Sequence, residues 1–318
     1  MSIPLGTVAV HPVAEAAEGP YAVAVTPDGA VWCTLVHAGA VLRLPPAGGT
    51  LQRLELGAVD AGSSQHTHHS RAQPSQLAVA DETSVWVTDT TGGRVLLLGP
   101  DAAGEASVKL EVAAPTEGAE PYGITVQHDG TVWFTELGQD ALGRIDILGA
   151  VTEFGSGTDE GFVSMIASAG DSLWFTANQA NAIGYVRGGD SAPVLFDVPT
   201  PHAGPVGITT APDGSAWFVE ILAGKVARVD RNGRFTEHPL PWSEAKPHAI
   251  VPDPREAGGF WFTLWGANQL GHITPSGSIE VLDLSDVHSE PHGLAVAPDG
   301  TVWVAMESGA LLAVTPRV

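Results

Sequence analysis

Residues 122–136 read YGITVQHDGTVWFTE, which is two apolar runs joined by an Asp-Gly turn. Both runs are rich in β-branched and aromatic residues, which favour strands. Glycine supplies the positive φ that a tight hairpin needs, so Asp129-Gly130 between such runs predicts a β-hairpin. Two shorter apolar runs follow at 142–146 and 151–154, so this unit is expected to contain four short strands.

The same unit recurs along the chain, each time with a tryptophan in its second strand. Successive tryptophans are 54, 47, 41, 43, 44 and 42 residues apart, at Trp32, Trp86, Trp133, Trp174, Trp217, Trp261 and Trp303. Nothing in the repeat has a 3.6-residue period, which excludes a solenoid of helices. Four short antiparallel strands per repeat are typical of a propeller blade. The sequence therefore predicts an all-β fold, a seven-bladed β-propeller with four antiparallel strands in each blade.

The two ends of the chain are expected to close the ring. The last repeat ends near Val314 and has room for only three strands, so the run Thr7-Val8-Ala9-Val10 should supply the missing outer strand of the last blade. That arrangement removes a free sheet edge. Closed β architectures often exceed the usual domain length, so we expect residues 1–318 to form a single domain.

Composition limits the kinds of partner. Acidic residues outnumber basic ones 36 to 14, for a formal net charge of −22, which argues against nucleic acid and anionic membranes as partners and favours solubility. The one cysteine, Cys33, excludes an internal disulfide and indicates a reducing compartment, where we expect a buried, inert thiol. We find neither a signal peptide nor an apolar run of about 20 residues. These features predict a cytoplasmic protein and favour a monomer.

Hairpin geometry indicates which residues meet at one mouth of the channel. The start of each first strand and the end of each second strand lie at the same end of a hairpin, and a propeller mouth is a concave site. The expected strand starts are Tyr21, Gln76, Tyr122, Val163, Val206, His248 and His292. The expected second-strand ends are Leu35, Asp89, Glu136, Ala177, Glu220, Leu264 and Glu307.

Four ionisable residues from two adjacent blades, His248, Glu290, His292 and Glu307, are expected to converge at this mouth. One interpretation is that they only satisfy the exposed ends of strands. The other is a functional site, because two carboxylates with room for water suit a hard divalent cation such as Mg²⁺. A neutral histidine beside that cation suits general base catalysis near pH 7.

Over roughly residues 18–315 the chain resembles the virginiamycin B lyases, also called streptogramin B lyases. The resemblance rests on the repeated Pro-Tyr/His-Gly-Ile and Trp-Phe-Thr-Glu phrases. It is most specific in Glu290-Pro291-His292-Gly293-Leu294 followed by Ala305-Met306-Glu307. It implies linearisation of a cyclic depsipeptide antibiotic by Mg²⁺-dependent elimination at the threonyl ester C–O bond, without hydrolysis, and hence antibiotic resistance.

The resemblance also implies roles for individual residues. His292 matches the general base, and His248 matches a catalytic histidine that holds the reacting ester. Glu290 and Glu307 match the metal-binding carboxylates, with Mg²⁺ as the cofactor. The expected substrate-binding residues are His248, Tyr21, Tyr122 and Trp265, although Trp265 could equally pack a loop onto blade 6.

Two departures from the pattern concern substrate identity more than reaction type. Leu264 stands where the Trp-Phe-Thr phrase predicts glutamate, and the insertion His66-Thr67-His68-His69 is foreign to the repeat. Two alternatives to the lyase remain open at this point. A metal-dependent lactonase or esterase would add one water to the product, whereas elimination adds none. A non-catalytic propeller would bind its ligand without changing it.

Overall fold

The computed structural model describes residues 6–46, 49–57, 71–188 and 192–317. It contains seven antiparallel sheets of four strands each, which we number as blades 1 to 7 in the order of their tryptophans. The first strands of neighbouring blades lie side by side around the whole ring, including those of blades 7 and 1. The predicted seven-bladed β-propeller is therefore confirmed. The inserted histidines at 66–69 lie outside the described residues.

The strands are numbered in chain order, and each blade runs from the channel outward. Blades 1 to 3 contain β2 (Pro20–Val25), β3 (Val31–Leu35), β4 (Ala40–Leu44), β5 (Gln52–Glu55), β6 (Pro74–Val79), β7 (Val85–Asp89), β8 (Arg94–Pro100), β9 (Ala106–Ala113), β10 (Pro121–Val126), β11 (Val132–Glu136), β12 (Ala141–Ile145) and β13 (Val151–Gly155). Blades 4 and 5 contain β14 (Val163–Ala169), β15 (Ser172–Ala177), β16 (Ala182–Val186), β17 (Val194–Asp197), β18 (Pro205–Thr210), β19 (Ala216–Glu220), β20 (Lys225–Val229) and β21 (Phe235–Pro239). Blade 6 and the C-terminal part of blade 7 contain β22 (Pro247–Pro252), β23 (Phe260–Leu264), β24 (Gln269–Ile273), β25 (Ile279–Asp283), β26 (Pro291–Val296), β27 (Val302–Met306) and β28 (Ala310–Pro316).

The N-terminal strand completes blade 7, as the sequence predicts. Strand β1 (Gly6–Pro12) pairs antiparallel with β28, with Val8 opposite Val314. Short 3-10 turns at Ala16–Glu18 and Ser243–Ala245 precede β2 and β22. No helix in the described part of the chain has the length and apolar character needed to cross a bilayer.

The repeated tryptophans fill the space between neighbouring blades. Trp32 of blade 1 packs with Val85 and Leu96 of blade 2, and Trp174 of blade 4 packs with Phe218 of blade 5. Both tryptophans are fully buried. An aromatic side chain buries about 150–250 Å², or roughly 4–6 kcal/mol of transfer free energy before chain entropy is counted. Cys33 is also fully buried, in the cluster between blades 1 and 7, and burial raises the pKa of its thiol to about 12, which keeps it unreactive.

The threonines of two Trp-Phe-Thr phrases, Thr135 and Thr263, each tie two blades together. The register of the first hairpin in blade 6 shifts between Pro247 and Ile250. Thr263 fills that irregularity: its Oγ1 accepts the Ala249 N–H at 3.1 Å and donates to the carbonyl of His292, in blade 7, at 2.7 Å. Thr135 makes the same pair of bonds between blades 3 and 4, with Gly123 and Ser164. This threonine therefore positions the start of the following blade's first strand.

The Pro-X-Gly phrases need their glycine because the first strands of neighbouring blades approach each other closely. A Cβ at Gly293 would lie 2.5 Å from the carbonyl oxygen of Tyr21 in blade 1. A Cβ at Gly207 would clash in the same way with the carbonyl oxygen of His248 in blade 6. These two glycines let the backbones that carry Tyr21 and His248 come close to the neighbouring blade.

Candidate active site

A recurring backbone hydrogen bond places the two acidic mouth residues, Glu290 and Glu307, next to each other. The residue before the first strand has a left-handed φ in six blades: Gly19, Glu120, Phe162, Gly204, Lys246 and Glu290. Its carbonyl accepts the N–H of the residue just beyond the second strand, and in blade 7 Glu307 donates to Glu290 at 3.0 Å. Trp265 donates to Lys246 in the same way in blade 6, at 3.1 Å. The left-handed conformation is thus a feature of the blade, and the site differs from other blades only in the side chains placed there.

The register corrects the expected set of second-strand ends. Pro121 pairs with Glu136 and Pro205 pairs with Glu220, but Pro291 pairs with Met306. Glu307 is therefore not the counterpart of Glu136 and Glu220. It lies one residue further on, where its side chain is 26% exposed, whereas Met306 is fully buried. Successive residues of a strand point to opposite faces, so this one-residue step turns the carboxylate from the core towards the mouth.

The register also corrects two of the expected strand starts. Pro74 and Val163 pair with the second-strand ends of blades 2 and 4, as Pro20 does in blade 1. The counterparts of Tyr21 are therefore Ser75 and Ser164, and the sequence-based choices of Gln76 and Val163 each lie one residue from the equivalent position. The Gln76 side chain nevertheless reaches the mouth, where it hydrogen-bonds to Tyr122. Blades 2 and 4 lack the Pro-X-Gly or Pro-X-Ala phrase that marks the start of the first strand in the other five.

The His292 imidazole is held by Glu307. Nε2 of His292 lies 2.6 Å from Oε2 of Glu307, and burial lowers the pKa of His292 despite the opposing charges of Glu307 and Glu290. The ring is therefore neutral near pH 7, and because a carboxylate can only accept, Nε2 carries the proton. The lone pair is then on Nδ1, which is buried and has no partner in the described part of the chain. A neutral imidazole with an unprotonated ring nitrogen can act as a base, and here that role requires substrate binding to expose the buried Nδ1.

Two tyrosines and a second histidine surround this ring. The Tyr21 hydroxyl lies 2.7 Å from the Tyr122 hydroxyl and 3.3 Å from Nε2 of His248. The ring centroids of both Tyr21 and His248 lie 4.8 Å from that of His292. Burial lowers the pKa of His248 to about 3 and raises the pKa values of both tyrosines, so all three side chains are neutral near pH 7. The structure thus brings together residues from blades 1, 3, 6 and 7.

Trp265 forms one wall of the same cluster. Its ring centroid lies 6.0 Å from that of His292, and Nζ of Lys246 lies 4.9 Å from its centroid. The indole Nε1 is buried without a partner in the described part of the chain. Trp265 therefore lies beside His292 at the mouth and also packs against the loop residue Lys246, and its role in substrate binding stays a prediction.

Tyr21, Tyr122, His248, His292 and Trp265, which we call the mouth cluster, lie at one end of a largely apolar channel. A cavity of about 470 Å³ runs between the first strands and is lined by residues beyond the strand starts, such as Val23, Ile124 and Ile208. None of the histidines or tyrosines of the mouth cluster lines this cavity. The ionisable side chains lie at the mouth, whereas the channel below is lined by apolar residues and the uncharged Gln76, Thr125 and Thr209.

The carboxylates fit a metal ion only in part. Across the described ranges of the chain, no group of three or more His, Cys, Asp or Glu side chains is placed to enclose a metal ion. Glu290 is exposed, and both oxygens of Glu307 contact imidazoles but retain free lone pairs. Mg²⁺ commonly binds one or two carboxylates and keeps several waters. The donor set therefore fits a hard cation that keeps part of its water shell.

The sequence missed two residues that position the site. His37 of blade 1 is 3.1 Å from Oε1 of Glu307, and Thr263 bonds to the backbone of His292. His37 follows the second-strand end Leu35 by two residues, so its place just beyond a strand end is the sequence signal that points to it. The role of Thr263 depends on a contact between blades, which repeat spacing does not show.

Comparison with known proteins agrees with this geometry. The sequence profile of the virginiamycin B lyase family matches residues 6–314. A virginiamycin B lyase of Nocardia farcinica is 40% identical over 237 residues, which is 74% of this chain and 75% of that protein. A streptogramin B lyase structure superimposes with a TM-score of 0.84 at 29% identity and covers 98% of both chains.

A further solved structure is similar over nearly all of both chains. It is a catalytically inactive histidine-to-alanine variant of the virginiamycin B lyase from Staphylococcus aureus with quinupristin. It has a TM-score of 0.83 at 31% identity and covers 98% of this chain and 99% of that one. The family profile, the N. farcinica relative and these two structures agree, and this chain belongs to the virginiamycin B lyase family.

Proposed function

We propose that this protein opens the ring of cyclic depsipeptides of the streptogramin B type by elimination at the threonyl ester. The proposal is supported by family membership and by the quinupristin that accompanies the S. aureus relative. The observation that carries it is the neutral imidazole of His292, hydrogen-bonded to Glu307 at the mouth of the propeller.

In the proposed reaction His292 removes the α-proton of the esterified threonine. The electron pair of that C–H bond forms a double bond to the β-carbon, and the β-carbon–oxygen bond breaks. The ester leaves as a carboxylate and the proton remains on His292, so atoms and charges balance without water. A positioned base of this kind typically contributes about 10²–10⁴-fold in rate.

The other mouth residues supply orientation and charge. Glu307 stabilises the imidazolium that forms, because its carboxylate already accepts a hydrogen bond from Nε2. Tyr21 and His248 are neutral and hydrogen-bonded to each other, so they can donate to or orient an ester group without adding a competing charge. Trp265 offers an aromatic face to a large apolar ring.

We further propose that Glu290 and Glu307 hold Mg²⁺, whose bound form would supply charge stabilisation for the enolate-like carbonyl. On this proposal a chelator stops turnover and added Mg²⁺ restores it. We also propose that the protein is a cytoplasmic monomer and that it confers resistance by destroying the antibiotic.

Mass spectrometry of virginiamycin S or quinupristin incubated with the enzyme and Mg²⁺ tests the reaction. A ring-opened product of unchanged mass with a new alkene absorbance supports elimination. A gain of one water means a lactonase or esterase on this scaffold, and recovery of the unchanged antibiotic removes streptogramins as the substrate class.

A further inference from the structure

Buried carboxylates at the ends of second strands have cationic neighbours in two blades. In blade 2 the fully buried Asp89 accepts a bond from Nε of Arg94 at 2.9 Å. In blade 5 the fully buried Glu220 lies opposite Lys225, whose charge lowers the pKa of Glu220 against a larger rise from burial. The Lys225 ammonium acts on Glu220 through its charge alone, since it bonds to Glu237 and Thr200 and the Glu220 oxygens have no hydrogen-bond partner in the described part of the chain. In both cases the cation is the first residue of the third strand.

Four other blades have neither the acid nor the cation at these positions. The paired residues there are Leu35 and Ala40, Ala177 and Ala182, Leu264 and Gln269, and Met306 and Ala310. Acid and cation are therefore present together or absent together in six of the seven blades.

Blade 3 is the exception, because it has the acid without the cation. Glu136 lies opposite Ala141 and is fully buried, and neither of its carboxylate oxygens has a partner in the described part of the chain. Burial raises the pKa of Glu136 to about 8, and the nearby carboxylate of Glu153 contributes to the rise. An unpaired buried carboxylate costs several kcal/mol unless a proton or a cation compensates it.

The oxygen atoms around the missing cation are the same in both blades. In blade 5, Nζ of Lys225 lies 2.6 Å from Oε2 of Glu237 and 2.5 Å from Oγ1 of Thr200. In blade 3 the corresponding outer-strand acid is Glu153, which accepts bonds from the backbone N–H and Oγ1 of Thr116 at 3.0 and 2.6 Å. Thr116 and Glu153 therefore repeat the two oxygen partners of the Lys225 ammonium. Glu136 repeats the nearby Glu220, while Ala141 replaces the lysine.

We propose that blade 3 binds one divalent, oxygen-seeking cation between Glu136 and Glu153, in the place that the Lys225 ammonium takes in blade 5. Two carboxylates match a charge of +2, and all the side-chain donors are oxygens. Glu153 is only half-buried and Thr116 is exposed, so the ion has a route in from solvent. Ca²⁺ is the appropriate probe, since Mg²⁺ loses its water reluctantly.

The test measures calcium binding in a chain whose mouth carboxylates are removed. In a Glu290→Gln/Glu307→Gln background, freed of metal by a chelator and dialysed, calorimetric titration with CaCl₂ is expected to show one site per chain. The unfolding temperature should rise with calcium concentration, because a ligand that binds only the native state stabilises it.

Two variants locate the site. Ala141→Lys should weaken calcium binding about tenfold or more, because an ammonium then occupies the position and repels the ion. Glu136→Gln should weaken it similarly by removing one of the two charges. Lys225→Ala serves as the converse control, since it should create a second calcium site in blade 5.

Three results would overturn the proposal. One is the absence of calcium binding in the background protein, and another is calcium binding that neither Ala141→Lys nor Glu136→Gln changes. A response to K⁺ or Na⁺ equal to that to Ca²⁺ at matched ionic strength would also overturn it. If no cation binds and the unfolding temperature changes with pH near 8, a proton and not a metal ion compensates the charges of Glu136 and Glu153.

Discussion

Blades 5 and 7 share one backbone frame and use it differently. Both contain a Pro-X-Gly phrase, Val206 being the counterpart of His292, and the glycine in each lies against the neighbouring strand. Blade 5 keeps its acid, Glu220, inside the sheet, whereas blade 7 has Met306 there and an acid one residue later. A one-residue displacement thus separates a carboxylate that serves packing from one that contacts a base.

The largest effect is expected from removing the imidazole. His292→Ala should lower kcat by about 10²–10⁴-fold, since the proposed general base is lost, while the fold is retained. Val206→Ala is the matched control at the same position of blade 5 and should leave kcat unchanged. Steady-state kinetics on a streptogramin B, with circular dichroism as the folding check, measures both. Near-wild-type turnover in His292→Ala would refute the assignment of the base.

Neutralising the displaced carboxylate is expected to have the next largest effect. Glu307→Gln keeps an acceptor for Nε2 of His292 but removes the charge that stabilises the imidazolium, so kcat should fall by about 10–100-fold. Glu220→Gln, which neutralises the carboxylate kept inside blade 5, should leave kcat unaltered. Equal losses in the two variants would mean that the contrast between the blades has no catalytic meaning.

The sequence predicted the blade number and the ring closure because both depend on local signals, the Asp-Gly turns and the spacing of tryptophans. It also placed His292, His248 and Tyr21 at one mouth, since hairpin arithmetic needs only the turn centre. It chose Gln76 and Val163 instead of the positions equivalent to Tyr21, because blades 2 and 4 lack the Pro-X-Gly or Pro-X-Ala phrase that marks the strand start in the other blades. It missed His37 because that contact joins blades 1 and 7, which are brought together only when the ring closes.

A smaller effect is expected from the bond that joins blades 6 and 7. Thr263→Val removes the donor to the His292 carbonyl and leaves the Ala249 N–H without its acceptor, which should cost about 1–3 kcal/mol of unfolding free energy. Thr135→Val breaks the same pair of bonds between blades 3 and 4, so urea unfolding should show a similar loss. Only Thr263→Val should also lower kcat. A parallel loss of kcat in both variants would assign the threonine to stability alone.

The smallest effect is expected in the pH dependence of stability of blade 5. Burial raises the pKa of Glu220 to about 7, from an ordinary value of 4.5, so between these values the native state holds a proton that the unfolded chain has lost. Stability should therefore fall as the pH rises through this window, by on the order of 2–3 kcal/mol. Glu220→Gln mimics the protonated acid and should remove that decline, which urea unfolding at pH 5, 6, 7 and 8 would measure.

Glu237 should affect the pH dependence of stability in the opposite direction. Its pKa is lowered by Lys225 and Thr200, so its contribution to stability is lost as the pH falls. Parallel stability curves for Glu220→Gln and the wild type would mean that Lys225 already holds Glu220 ionised. Blade 5 would then contain a charged acid, and its carboxylate would differ from Glu307 of blade 7 in position but not in charge.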